Sequence, residues 1–163
     1  MTSSKKIVLL GHFGVGKTSI IRKFVTNEFT SDYKVTIGVH ILKKEVSISS
    51  NEKVSLLIWD LEGTDNIDLI NKAYLLGTHA FIYVYDVTRP VTFNNLTENV
   101  SKLKQLYPTT ITKVVGNKVD LLEEELNPND HKDLIATTAI FSSAKTGENI
   151  EGLFEELTKE LVC

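Results

Sequence analysis

Between an apolar run, Ile7–Leu10, and a helical pattern that begins at Lys17 lies Gly11-His12-Phe13-Gly14-Val15-Gly16-Lys17-Thr18. No other feature of the chain restricts the fold as far. In a strand–turn–helix context, glycines at this spacing let the backbone curl so that successive N–H groups converge. The positive end of the helix dipole points at the same place, and the concavity binds phosphate oxygens. Phe13, Gly14, Val15, Gly16, Lys17, Thr18 and Ser19 are therefore the expected phosphate-site residues. The Lys17 ammonium supplies a mobile charge for terminal phosphates, and the Thr18 hydroxyl suits Mg2+, a hard cation that prefers oxygen ligands.

Further apolar runs at Val54–Trp59, Phe81–Tyr85, Ile111–Val115 and Ala139–Phe141 read as buried strands. Helical periodicity marks roughly Lys17–Thr26, Asn66–Leu76, Val91–Leu106, Asn129–Ala136 and Ile150–Leu161. Such alternation predicts an α/β fold: a six-stranded, mostly parallel sheet with helices on both faces and binding loops at the carboxyl ends of the strands. His40–Ile48 and Lys53–Trp59 flank the polar Ser49-Ser50-Asn51-Glu52, which predicts a hairpin and one antiparallel edge strand. The polar stretch Glu123–Asp133 reads as a solvated loop leading into a short helix.

The 163 residues fit one domain, 1–163. A net charge of −3 gives no electrostatic reason to expect nucleic acid or anionic lipid as a partner. No run approaches the ~18 apolar residues of a membrane helix. The one cysteine, Cys163, cannot form an internal disulfide, which is compatible with a cytoplasmic location. As the last residue it does not make a C-a-a-X lipidation box, so no intrinsic membrane anchor is expected.

Two more segments extend the phosphate site. Asp60 ends a strand and precedes Gly63 by three residues, which carries a carboxylate to a metal and a flexible N–H to a terminal phosphate. Asn117-Lys118-Val119-Asp120 follows the Ile111–Val115 strand at the ligand-binding end of the sheet. The Asp120 carboxylate can accept both the N1–H and the exocyclic amine of guanine. Adenine offers no such pair of donors, so an ATP-using enzyme is disfavoured.

With Ser143-Ala144-Lys145 these segments stand in one order along the chain, and the whole sequence resembles the Ras superfamily of small GTPases, closest to its Rab branch. Thr36-Ile37-Gly38-Val39, Ile58-Trp59-Asp60, Val84-Tyr85-Asp86-Val87-Thr88 and Lys145-Thr146-Gly147-Glu148-Asn149-Ile150 carry the likeness further. The resemblance implies a P-loop small G-domain that binds GTP and GDP with Mg2+ and signals through protein effectors, as a monomer. It implies that Thr18, Thr36 and Asp60, the last through a water, hold the metal, and that Gly63 senses the terminal phosphate. Phe29 and Lys118 would cover the two faces of guanine, the Ala144 N–H would meet its oxygen, and Ser143 and Lys145 would support that loop. Effectors would read the segments around Thr36–Ile41 and Gly63–Tyr74.

Several positions depart from that pattern. Phe13 stands where a small residue usually leaves room beside the terminal phosphate for the attacking water and an incoming arginine. Thr64 replaces the glutamine that usually orients the water. Glu62 replaces a small residue, which makes it a candidate substitute base, metal ligand through water, or solvent-facing side chain. Ile41 replaces the phenylalanine of an aromatic trio whose other members match Trp59 and Tyr74, and the segment between Asp120 and Ser143 is short enough to predict a stunted fourth helix. The expected function is a guanine-nucleotide switch with slow or impaired hydrolysis; the alternative is a pseudo-GTPase interaction module that holds one nucleotide permanently or none.

Overall fold

A computed structural model describes residues 2–32, 34–122 and 132–163. The first strand, β1 (Thr2–Gly11), lies inside a six-stranded sheet of order β2-β3-β1-β4-β5-β6. Its neighbours are β3 (Lys53–Leu61) and β4 (Ala80–Asp86), both parallel to it; β5 (Ile111–Asn117) and the short β6 (Ile140–Phe141) extend the parallel set. At the other edge β2 (Val39–Ser47) runs antiparallel to β3, closed by a turn in which the Ile48 N–H bonds the Glu52 carbonyl at 2.9 Å. The architecture is the six-stranded, mostly parallel α/β sheet with one antiparallel edge strand expected from the alternation of runs.

The period-two geometry of a strand sends neighbouring side chains to opposite faces. Ile7 and Leu9 enter one core with α1 (Lys17–Thr26) and α5 (Ile150–Val162), where the Phe24 and Phe154 rings stack at 4.0 Å. Val8 and Leu10 enter the other, packed with Leu96, Val100 and Leu103 of α3 (Leu96–Leu106). Ile7–Gly11 of β1 and all of β4 are thus dry on both faces. Gly11, Leu61, Asp86 and Asn117 end their strands at the carboxyl edge, and the loops that follow them build the site.

Two helical expectations need correction. In place of one helix over Asn66–Leu76 there is a single turn, Ile67–Leu69, and then a four-residue helix α2, Lys72–Leu75. The Asn66 and Asn71 side chains each cap a new start, accepting from the N–H of Asp68 (2.9 Å) and Ala73 (3.0 Å), and Ile70 between them is extended. Asparagine bonds its own backbone two residues on, so two of them break what hydrophobic spacing alone would make continuous. Likewise Val91–Leu106 begins with a separate turn at Pro90–Thr92 before α3. Of the predicted Asn129–Ala136 helix and Glu123–Asp133 loop, residues 123–131 lie outside the described residues; α4 spans Lys132–Thr137. No helix among the described residues is long and apolar enough to cross a membrane.

Candidate functional site

The loop after β1 is held by its carbonyls. The Lys17 Nζ donates to the carbonyls of Gly11 and His12, each at 3.2 Å. Arg89 Nη1 donates to Phe13 O (3.1 Å), Lys118 Nζ to Gly14 O (2.8 Å) and Asn117 Nδ2 to Val15 O (3.0 Å). The Ile20 N–H takes the Gly16 carbonyl at 2.9 Å as the helix starts. A trans peptide is planar, with C=O and the next N–H pointing opposite ways. Side chains that hold these carbonyls therefore also fix the directions of the N–H groups that follow them, the groups expected from the glycine spacing to meet phosphate oxygens.

Thr18, Thr36 and Asp60 meet at one corner. The Thr18 hydroxyl donates to Asp60 Oδ2 at 2.5 Å and lies 2.9 Å from the Thr36 hydroxyl. Asp60 is almost fully buried, and its Oδ1 has no hydrogen-bond partner among the described residues. Burial raises its carboxyl above the ordinary range, opposed by the Thr18 hydroxyl, Lys17, His40 and Thr36. A buried carboxylate oxygen without a partner, beside two hydroxyls, fits an oxygen-preferring divalent cation that keeps several waters. Among the described residues no cluster of three His, Cys, Asp or Glu side chains offers an alternative centre. Lys17 is 6% exposed, and burial lowers its ammonium to about 8 even though Asp60 pulls the other way.

Opposite this corner, Asn117 organises a second one. Its Oδ1 accepts from the Ser142 hydroxyl and the Ala144 N–H, both at 3.2 Å, while its Nδ2 reaches back to Val15. The Ala144 N–H, expected to meet a base oxygen, points at Asn117 in the protein alone. Asp120 is exposed, and Ser143 fixes its direction by donating to Oδ1 at 2.7 Å. Lys118 adopts φ 69° and pairs with the fully buried Asp86 at 3.0 Å.

One cavity of about 470 Å³ joins the two corners. Its walls include Phe13, Gly14, Gly16, Lys17, Thr18, Ser19, Phe29, Thr36, Gly63, Asn117, Lys118, Asp120, Ala144 and Lys145. Among the remaining expected residues, Val15 lies in the core, Ser143 is buried behind Asp120, and Asp60 sits beneath Thr18.

The departures from the usual pattern are also placed. Phe13, 42% exposed, stands in the cavity wall. Gly63 lies against it so closely that a Cβ would be 2.6 Å from the Phe13 Cα. The Thr64 N–H bonds the Gly11 carbonyl at 3.0 Å, and its hydroxyl turns to the backbone of Asn66, donating to O (3.2 Å) and accepting from N–H (3.1 Å). The Glu62 N–H donates to Gly38 O at 2.9 Å, and its carboxylate lies 3.5 Å from the Gly38 N–H. Neither Glu62 nor Thr64 lines the cavity.

Sequence reasoning missed Arg22 and Lys34, cations in the cavity wall, and Arg89 and Asp86, which act from outside it. Arg22 carried a weak signal, since it lies one turn beyond Thr18 on the same helix. Arg89 carried none, because its partner is 76 residues away.

Comparison with known proteins agrees with this geometry. A family model described as "Ras: Ras family" matches residues 6–163. The chain is 36% identical over 161 residues to the Ras-related protein Rab-22A of Homo sapiens, covering 96% of this chain and 82% of that one. It is 36% identical over 162 residues to the Ras-related protein Rab-30 of Homo sapiens, covering 96% and 79%. Against the Ras-related protein Rab-1 of Theileria parva the figures are 35% over 162 residues, 96% and 73%.

Proposed function

This chain belongs to the Ras family of small GTPases and is Rab-like, and from that premise we propose that it is a Mg2+-dependent GTP/GDP switch whose hydrolytic step is slow. The observation that carries the reading is the contrast within one cavity. The hydrogen bonds of Thr18 to Asp60 and Thr36, and of Ser143 to Asp120, support nucleotide and metal binding, whereas Phe13 in the wall beside Gly63 and the Thr64 hydroxyl engaged with Asn66 support slow hydrolysis.

In this mechanism the inward N–H groups of the loop and the Lys17 ammonium bind the phosphates, and the Asp120 carboxylate selects guanine. Phe29 and Lys118 bound the base. Thr18 and Thr36 would hold Mg2+ directly and Asp60 through a water; the ion, when bound, supplies positive charge to the phosphate oxygens. Thr36 lies on the segment leading into β2, so a metal contact there couples nucleotide state to the partner-facing segments Thr36–Ile41 and Gly63–Tyr74. The Glu62–Gly38 bonds tie the first of those segments to the residue that precedes the second. Ile41 lies opposite Trp59 in the β2–β3 register, and Trp59 packs on Tyr74 with ring centroids 6.3 Å apart, which gives effectors an apolar surface with isoleucine in place of an aromatic.

Thr64 cannot extend to a water beside the terminal phosphate while bonded to Asn66, and the Phe13 ring fills space that an incoming arginine needs. Such an arginine supplies ~10³–10⁵ in rate, so obstructing it outweighs the loss of weak intrinsic activity. The test is to identify the nucleotide released from the purified protein by chromatography and to follow phosphate release from added GTP. Guanine nucleotide with slow release is the expected result. No guanine nucleotide and no Mg2+-dependent GTP affinity would overturn the switch, and fast unaided release would overturn the assignment of Phe13 and Thr64.

A further inference from the structure

We propose that Arg89 is a positioning residue for the phosphate loop, acting through the Phe13 carbonyl to turn the Gly14 N–H toward the phosphates. The proposal rests on the nucleotide-binding reading above. Arg89 does not line the cavity; its guanidinium reaches the loop from outside and donates to Phe13 O at 3.1 Å. That carbonyl and the Gly14 N–H belong to one rigid peptide unit, so fixing one direction fixes the other.

The arginine is itself held in place. Its N–H bonds the Asp86 carbonyl at 3.1 Å, and its carbonyl accepts from the Thr92 N–H (2.9 Å) and hydroxyl (2.7 Å). The Thr92 hydroxyl in turn accepts from the Asp86 N–H at 2.9 Å. Asp86 is fully buried at the end of β4 and pairs with Lys118 at 3.0 Å, and Lys118 holds the next loop carbonyl, Gly14 O. One short turn, Asp86 to Thr92, thus sets two consecutive loop carbonyls through two cations. Lys118 lies in a segment legible from sequence, whereas Arg89 becomes a loop residue only through the packing of β4 beside β1.

The charge matters as well as the geometry. A guanidinium stays protonated at any working pH and presents several donors in a fixed plane, so it holds a carbonyl direction without titrating. A hydrogen bond from a charged donor is stronger than a neutral one, and its loss leaves the Phe13 carbonyl to its 3.2 Å contact with His12 Nδ1 and loosens the Phe13–Gly14 peptide.

The test compares wild type, Arg89→Ala and Arg89→Lys for affinity toward GDP and toward guanosine, measured by competition against a fluorescent guanine nucleotide in Mg2+ buffer, with thermal unfolding of each variant. In Arg89→Ala the GDP affinity falls about tenfold while guanosine affinity and melting temperature hold, because only the phosphate-facing donor is disturbed. Arg89→Lys recovers part of the loss. Unchanged GDP affinity in Arg89→Ala overturns the proposal, as does an equal loss for GDP and guanosine, which would mark a general structural role. Failure of wild type to bind any guanine nucleotide would instead refute the switch reading, and is seen before any variant is compared.

Discussion

The Asn117 carboxamide nitrogen donates to the Val15 carbonyl at 3.0 Å, and a Cβ on Gly16 would sit 2.3 Å from that same nitrogen. The two residues are complementary. Gly16 has φ +100°, which side chains rarely adopt, and its missing Cβ is the space through which Asn117 reaches the loop. The base-side segment and the phosphate loop are thereby one rigid unit.

Asn117→Ala should weaken that unit measurably. The side chain is 1% exposed, and its removal leaves the Val15 carbonyl and the Ala144 N–H without this partner. Each buried unsatisfied group costs about 1–3 kcal/mol. For a domain of this size the melting temperature should drop by at least about 4 °C. A differential scanning measurement that found no drop would mean the contact is not a strut.

Nucleotide affinity should depend on pH through Lys17. In the protein alone its pKa is lowered to about 8, first by burial, with Asp60 opposing. Phosphates stabilise the charged form, so binding takes up a proton once the pH exceeds about 8. GDP affinity should then fall by up to tenfold per pH unit, toward a limit set by the bound-state pKa. The stability of the protein alone should run the other way: between about 8 and 10.5 the unfolded chain holds more protons on this group, so stability from it rises with pH. Affinities measured from pH 7 to 9, with Lys17→Arg as a non-titrating control, check the sign. An equal slope in both proteins would assign the dependence elsewhere.

Restoring the usual residues should restore turnover. Phe13→Gly clears the cavity wall, and Thr64→Gln supplies a side chain long enough to orient water. The double variant should release phosphate at least about tenfold faster than wild type in single-turnover assays, equivalent to ~1.4 kcal/mol off the barrier. A double variant as slow as wild type would show that some other feature limits hydrolysis.

Glu62 should prove a clasp rather than a base. Its carboxylate lies 3.5 Å from the Gly38 N–H and outside the cavity wall. Glu62→Ala is therefore expected to leave the single-turnover rate within about twofold and to increase amide exchange at Gly38, since that N–H loses its carboxylate acceptor. A large drop in rate would revive the substitute-base role.

Much of this was legible along the chain. The apolar runs marked the strands, because a strand dry on both faces needs continuous apolar residues, and Lys17–Thr26 was predicted with the bounds it has. The broken Asn66–Leu76 segment was not legible from periodicity, since the caps of Asn66 and Asn71 compete with helix locally while the apolar spacing stays helical.

The sequence alone determined the chemistry available: a glycine loop with Lys17 and Thr18, a strand-ending Asp60, and a carboxylate at Asp120. These are properties of residue type and short spacing, so they survive without knowledge of the fold. Only the tertiary structure decided where those groups point. Arg89 and Asn117 meet the phosphate loop across 76 and 102 residues, and Thr64 turns away from the cavity to the backbone of Asn66. Peptide planarity converts such distant hydrogen bonds into the direction of a donor at the site, and no local pattern carries that information.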